Sequence, residues 1–236
     1  VLVSFFTSAL TIAAGIGGGL ALLAIMTYLV PIAALIPVHG MVQLGSNIGR
    51  ATLLRSHIAW PCVLAFLAGG IPGAWFGGLA VGWVDESVMT LTLGLFILGL
   101  TWTPLPAMAG ISTPGYVLTG AVTSFLTMIF GATGPFNAVV LSKAFASRMR
   151  LAATLAAIMS VQHLLKFAAF SLIGFAYGPW LPLIALMIIT GLAGTWVGRF
   201  ALIRTSERSF RFVFSVCLSL LALDLIRRGV AGMPHA

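Results

Sequence analysis

SFLTMIFGATGP, residues 124–135, is apolar up to Gly131 and then places two glycines and a proline within five positions. A continuous helix is the cheapest way to satisfy backbone hydrogen bonds in an apolar setting, and glycine and proline both oppose it. The stretch has a twin. SALTIAAGIGGG, residues 8–19, aligns with it at an offset of 116 (131 − 15), setting Gly15 on Gly131 and Gly18 on Gly134. GIPGAWFG, residues 70–77, aligns in the same way with GLAGTWVG, residues 191–198, at an offset of 121 (191 − 70), and Glu86 and Glu207 keep that offset. The chain therefore reads as one domain, 1–236, written twice: repeat 1 over 1–103 and repeat 2 over 114–229. Each half has a Gly-broken opening segment, two apolar helices, a short acidic turn and a last helix.

The solvent for these helices follows from composition. Of 236 residues, 60% are hydrophobic and 7% charged, against about 25% charged in a soluble domain. Residues 1–49, 58–84, 87–142 and 167–198 carry no charge at all. About 20 apolar residues cross a bilayer core as a helix, and the alternation expected of a membrane barrel is missing. The fold class is an all-α polytopic membrane protein. The net charge of +8 comes from arginines at span ends rather than from a basic patch with interleaved aromatics, so no nucleic-acid partner is expected; lipid is. Cys62 and Cys217 stand apart in apolar runs and read as packing residues. The first residues carry no basic region or cleavage site of a signal peptide.

Hydropathy divides the halves into segments near 1–29, 38–55, 58–83 and 87–102, then 115–143, 150–173, 178–201 and 207–228, with a break near Thr103. If all eight cross, the halves are parallel and the basic residues split four against seven. If each opening segment is a re-entrant hairpin bent at its glycines, each half crosses three times and the halves are inverted. Arg50, Arg55, Lys143, Arg148, Arg150, Arg199, Arg204, Arg208 and Arg211 then share one side, with Arg227 and Arg228 opposite and Lys166 inside. Nine against two is the division the positive-inside rule expects, so the inverted arrangement is preferred. Half-helices of about 14 residues, at about 1.5 Å each, place the bends near mid-membrane.

Two constellations carry chemistry. Broken helices at matching positions of two repeats point to a transport site, because the new half-helix offers free N–H groups and its positive end. This nominates Gly17, Gly18, Gly19, Gly131, Thr133 and Gly134; close packing through small residues is the competing explanation. The second is His39, Gln43, Ser46, Asn47 and Arg50, one stripe of a helix, with Gln162, His163 and Lys166 in the other half. At the offset of 116, Asn47 matches His163 and Arg50 matches Lys166. Ionisable side chains in such segments are expensive and face a cavity or a partner, unless they snorkel to the interface. His39 and His163 are candidates for proton coupling, since histidine titrates near pH 6.5. Asp224, with Arg227 and Arg228 at i+3 and i+4, reads as a local ion pair.

Taken with PVHGMVQLGSNIGR at 37–50, QHLLK at 162–166 and the paired Gly73/Gly77 and Gly194/Gly198 spans, the chain resembles the sulfite exporter TauE/SafE family over nearly its whole length. The resemblance implies export of sulfite or a small organosulfonate across the bacterial inner membrane. Residue physics alone reaches a multi-pass secondary transporter with a cationic, helix-N-terminus site that suits a small oxyanion; joined to the resemblance, the reading is an exporter working by alternating access. An anion-selective channel and an uptake permease for another small anion remain the alternatives. No nucleotide-binding loop, HExxH motif or carboxylate cluster is present, so neither an enzyme nor a bound metal or cofactor is expected. Coupling ion and oligomeric state, a homodimer included, stay open.

Overall fold

The computed structural model describes residues 1–14, 18–103, 111–142, 144–201 and 207–233. Among the described residues there are ten α-helices and no strand. They are α1 (Leu2–Ala14), α2 (Gly18–Met26), α3 (Ile32–Leu53), α4 (Trp60–Val81), α5 (Glu86–Trp102), α6 (Thr113–Phe130), α7 (Gly134–Leu141), α8 (Arg148–Leu172), α9 (Leu181–Ala201) and α10 (Glu207–Ala231). Within the described residues four helical stretches are long and apolar enough to cross a membrane: Trp60–Val81, Thr113–Phe130, Met149–Leu172 and Gly178–Gly198. The 22-residue α3 matches them in length but carries His39, Gln43, Asn47 and Arg50. Its start differs from expectation. The helix begins at Ile32, not near residue 38, and takes Pro37 into its interior. Packed neighbours and local adjustment make an interior proline tolerable in a membrane helix.

Polarity is turned inside out. Leu64, Phe76, Leu118, Ile189, Trp196 and Leu220 are exposed, while Thr123, Ser124, Asn137, Gln162, His163 and Lys166 are buried. An apolar exterior of this extent is unfavourable in water and natural in lipid. The short α2 sits at the centre, with Leu22, Leu23 and Ala24 packed in a cluster with Val38 and Val42 of α3, Leu93 and Ile97 of α5, and Ala222 and Leu225 of α10.

Packing follows the repeat. If α1–α5 are matched in order with α6–α10, exchanging the halves maps each major contact onto another: α4 packs on α6 as α9 packs on α1, and α3 pairs with α8 and α5 with α10. Sequence explains the first two seams. In lipid, close approach through small residues is what holds helices together, since lipid tails compete for every apolar face. A side chain at Gly73 would overlap the carbonyl oxygen of Ala121, and one at Gly194 that of Phe5. Gly77 lies as tightly on Phe125 as Gly198 does on Ala9. The glycines keep the offset of 121 and their partners that of 116, so the two registers of the repeat are the two sides of one contact.

Helix directions follow from the same contacts. Gly73 and Gly77 meet Ala121 and Phe125 in order, so α4 and α6 run parallel, as do α9 and α1. Gly40 lies against Lys166, whereas the Ala59 N–H, beyond the end of α3, donates to Thr154 Oγ1 at 3.0 Å. Helix α8 is thus antiparallel to α3. Helix α10 is antiparallel to α5: Gly229 meets Leu91, while Trp102 Nε1 donates to Ser219 Oγ at 2.7 Å. The two helices that flank Gly131 differ in length. Helix α6 has 18 residues, about 27 Å of rise, and the returning α7 has 8, about 12 Å. At the turn, Gly131 adopts φ 77°, a left-handed conformation that glycine accepts without strain.

Arg227 and Arg228 find their explanation in α2. Asp224 pairs with Arg227 at 2.7 Å and with Arg228 at 3.1 Å, and it accepts a hydrogen bond from Tyr28 Oη at 2.8 Å. Arg228 also lies over the Tyr28 ring, 4.5 Å from its centroid, and donates to Thr27 Oγ1 at 3.1 Å. The pair expected within α10 is therefore also a clamp on the chain that leaves α2.

The seams predict which glycines matter. Gly73→Ala and Gly194→Ala each force a methyl onto a backbone carbonyl and are expected to cost about 1–3 kcal/mol. Gly99→Ala, with nothing within 4 Å of the new methyl, is expected to be neutral or stabilising by up to about 1 kcal/mol. Thermal unfolding of the three variants in detergent checks the order.

Candidate functional site

The two broken segments and the α3–α8 pair enclose a cavity of about 590 Å³. Gly19 and Leu20 of α2, Gly134, Pro135 and Ala138 of α7, Leu192 and Thr195 of α9, and Thr11 of α1 contribute to its wall. Helix α3 contributes His39, Gln43, Asn47, Gly49, Arg50 and Leu53, and α8 contributes Ala152, Leu155, Ala156, Met159 and His163. The cavity thus spreads from the ends of α3 and α8 that bear Arg50 and Ala152 down to the two histidines.

Spacing on α3 builds the wall. Residues 39, 43, 47 and 50 recur at helical period, so four polar groups share one face. They are linked head to tail: Asn47 Nδ2 donates to the Gln43 carbonyl at 2.8 Å, and Arg50 Nη2 donates to Asn47 Oδ1 at 2.9 Å. Gln43 packs its amide into the place a side chain on Gly19 would take. His39 Nε2 lies 2.9 Å from the Gly19 carbonyl oxygen, an acceptor-only partner, which assigns the ring proton to Nε2. These contacts leave spare hydrogen-bonding capacity on the residues of the wall. His39 Nδ1, Arg50 Nε and both ring nitrogens of His163 are buried without a hydrogen-bond partner. The two imidazoles sit edge to face, their centroids 6.4 Å apart.

A second polar group stands behind the wall. Gln162 Oε1 accepts from Thr133 Oγ1 at 3.0 Å and from Asn137 Nδ2 at 3.4 Å, and its Nε2 donates to Thr123 Oγ1 at 3.0 Å. One amide side chain on α8 therefore ties α6, the break and α7 together. Lys166 Nζ donates to the Gly131 carbonyl oxygen at 2.6 Å and is 0% exposed. It reaches neither an interface nor the cavity wall.

The residues nominated from sequence are thus brought to one region but divided. Gly19, Gln43, Asn47, Arg50, Gly134, His39 and His163 line the cavity. Thr133, Gln162, Gly131 and Lys166 form the layer behind it. Gly18 packs against Thr7 and Thr11 of α1, Ser46 is buried away from the lining, and Gly17 lies outside the described residues. Sequence reasoning missed Thr11, Thr195, Thr123 and Asn137. A signal existed for two of them: Thr11 falls in the repeated SALT/SFLT stretch, and Asn137 is the lone amide in the apolar run after Pro135.

Charge decides what the cavity suits. It holds the Arg50 guanidinium and no carboxylate. Among the described residues, Asp85 and Glu86 are exposed at the opposite turn and Asp224 is held in its clamp. A cation in a low-dielectric wall without a fixed counterion favours an anion in front of it. A ligand with several acceptor oxygens also suits donors such as Arg50 Nε. No three His, Cys, Asp or Glu side chains gather as a metal site among the described residues.

Comparison with known proteins gives one finding: the model of the sulfite exporter TauE/SafE family matches residues 1–225. No curated protein and no solved structure matches the chain.

Gly134 separates packing from access. A methyl there meets only Met159 Cε at 3.6 Å, so Gly134→Leu is expected to insert and fold while its side chain fills space at the first turn of α7. Flux is expected to fall by at least tenfold, about 1.4 kcal/mol, with yield and thermal midpoint near those of the unmodified protein. Undiminished flux would show that no ligand approaches α7 there.

Proposed function

The chain belongs to the sulfite exporter TauE/SafE family, and from that premise we propose that it exports a small sulfur oxyanion, sulfite or an organosulfonate, across the bacterial inner membrane by alternating access. The observation that carries the reading is the Arg50 guanidinium, held by Asn47 and joined by His163 with two unpartnered ring nitrogens, on the wall of a cavity without a carboxylate. Arg50 supplies charge, Asn47 holds it, Gly19 seats the Gln43 amide, Gly134 leaves room for an anion at the start of α7, and His163 offers a donor or takes a proton. His39, already shared with the Gly19 carbonyl, is the second candidate for proton coupling. Thr133, Gln162, Ser46 and the glycines 17, 18 and 131 belong to the shell that shapes this site.

The two halves are read as inverted repeats with re-entrant opening hairpins. The antiparallel pairing of α3 with α8 and of α5 with α10 supports this, because helices at equivalent positions of inverted halves must run in opposite senses. The cavity then opens toward the side that holds Arg50, Arg55 and Arg150, which the positive-inside rule makes cytoplasmic. An exporter that loads from the cytoplasm requires such a state.

Two measurements test the reading. Purified protein in proteoliposomes is expected to move sulfite or a sulfonate, and Arg50→Gln to lower that flux at least tenfold, about 1.4 kcal/mol of lost anion stabilisation. Flux that saturates and responds to an imposed proton gradient distinguishes a carrier from a channel. In protein lacking Cys62 and Cys217, Thr103→Cys and Ser147→Cys are expected to react with an impermeant thiol reagent from one side and Leu29→Cys from the other. Reaction of the first two from opposite sides would remove the inverted arrangement.

A further inference from the structure

Arg50 and Lys166 occupy equivalent positions of the repeat, as do the break glycines Gly15 and Gly131. The structure nevertheless employs the two cations differently. Arg50 stands on the wall of the large cavity. Lys166 is withdrawn, its stem in the notch beside Gly40 and its ammonium on the carbonyl of its own half's hairpin turn. Since α3 and α8 are antiparallel, Arg50 lies toward one end of the pair and Lys166 toward the other.

A second cavity, of about 340 Å³, lies at that other end. Ile32, Ile36 and Pro37 of α3, Phe170 and Ile173 of α8, and Met89 of α5 line it, with the exposed carboxylate of Glu86 at its edge. Ile36 is also a neighbour of Gly131. A layer that includes His39, His163 and Lys166, all buried, therefore separates a cavity at the Arg50 end from one at the Pro31 end. Within the layer the ammonium is poorly served. It has three N–H donors and one hydrogen-bond acceptor, the Gly131 oxygen. That carbonyl does not depend on Lys166, because Thr127 Oγ1 also donates to it at 3.3 Å.

We propose that Lys166 is the anion-holding cation of the oppositely facing state, so that the two halves exchange roles during transport. When the smaller cavity opens, the ammonium leaves the Gly131 carbonyl and meets the oxyanion there, while Arg50 withdraws from contact with it. Inverted halves that rock against each other interchange their environments, which gives equivalent residues equivalent duties in turn. A substrate oxyanion supplies the acceptors and the opposite charge that Lys166 lacks. The inference rests on the proposed anion transport and assigns each face of the membrane its own cation. The competing view is that Lys166 only caps the end of α6.

Vesicles of both orientations, with sulfite as the probe and sulfate as the second, separate these. Lys166→Gln, which retains a donor for the Gly131 carbonyl, is expected to raise the half-saturating sulfite concentration about tenfold or more from the Pro31 side. From the Arg50 side the shift is expected to stay within about twofold; Arg50→Gln is expected to do the reverse. Equal shifts on both sides, or none, in Lys166→Gln overturn the proposal while leaving anion transport standing. Absence of saturable flux of either anion in the unmodified protein overturns both. Should Lys166→Gln fail to insert, Ile36→Cys in protein without Cys62 and Cys217 replaces it. Sulfite added on the Pro31 side is expected to slow its modification from that side several-fold. No protection overturns the assignment.

Discussion

Backbone that leaves the helix at membrane depth has no water to turn to, so protein must enclose it and satisfy it. Much of this architecture answers that demand. The turn from Gly131 to Thr133 is buried. Its Gly131 carbonyl is met by Lys166 and Thr127, and its Thr133 hydroxyl by Gln162. Around it, α8 supplies two of these partners, α4 covers α6, and α2 fills the space against Gly131 with Leu23. The turn at Gly131 is therefore enclosed by protein rather than laid against lipid.

That enclosure is also what makes a ligand site possible. A guanidinium and two histidines would be solvated at a surface and would discriminate little. Placed on α3 and α8, they are desolvated and held by short links, Asn47 to Arg50 and His39 to Gly19. His163 stands out there as a buried ring with neither nitrogen hydrogen-bonded. The same low dielectric that makes an unpaired cation costly makes an anion beside it favourable.

The glycine seams show how the repeat becomes a three-dimensional object. Each half lends its first helix to the fourth helix of the other, α6 to α4 and α1 to α9, so neither half can bury its seam alone. The α5–α10 pair and the clamp of Asp224 and Arg228 on Tyr28 and Thr27 close the far side. Arg227 and Arg228 both pair with Asp224 near the end of α10. They are spent on the clamp, a local electrostatic contact.

Several features were legible without coordinates, and for one reason: they are written in composition and period. The lipid-facing class follows from the scarcity of charge, and the duplication from two glycine patterns at fixed offsets. The break at Gly131 follows from residues that oppose a helix, and the polar stripe of α3 from its helical spacing. Tertiary structure alone decided the rest. Nothing local distinguishes Arg50, on the cavity wall, from Lys166, sealed on a carbonyl, because their sequence positions are equivalent and only the surroundings differ. Nor could spacing show that Gln162 is consumed by Thr123, Thr133 and Asn137 while the adjacent His163 is left free. Partners 25 to 39 residues away decide that, and sequence carries no record of which distant donor reaches an acceptor first. The sequence determined which groups lipid would force inward, and packing determined which of them found a partner and which did not.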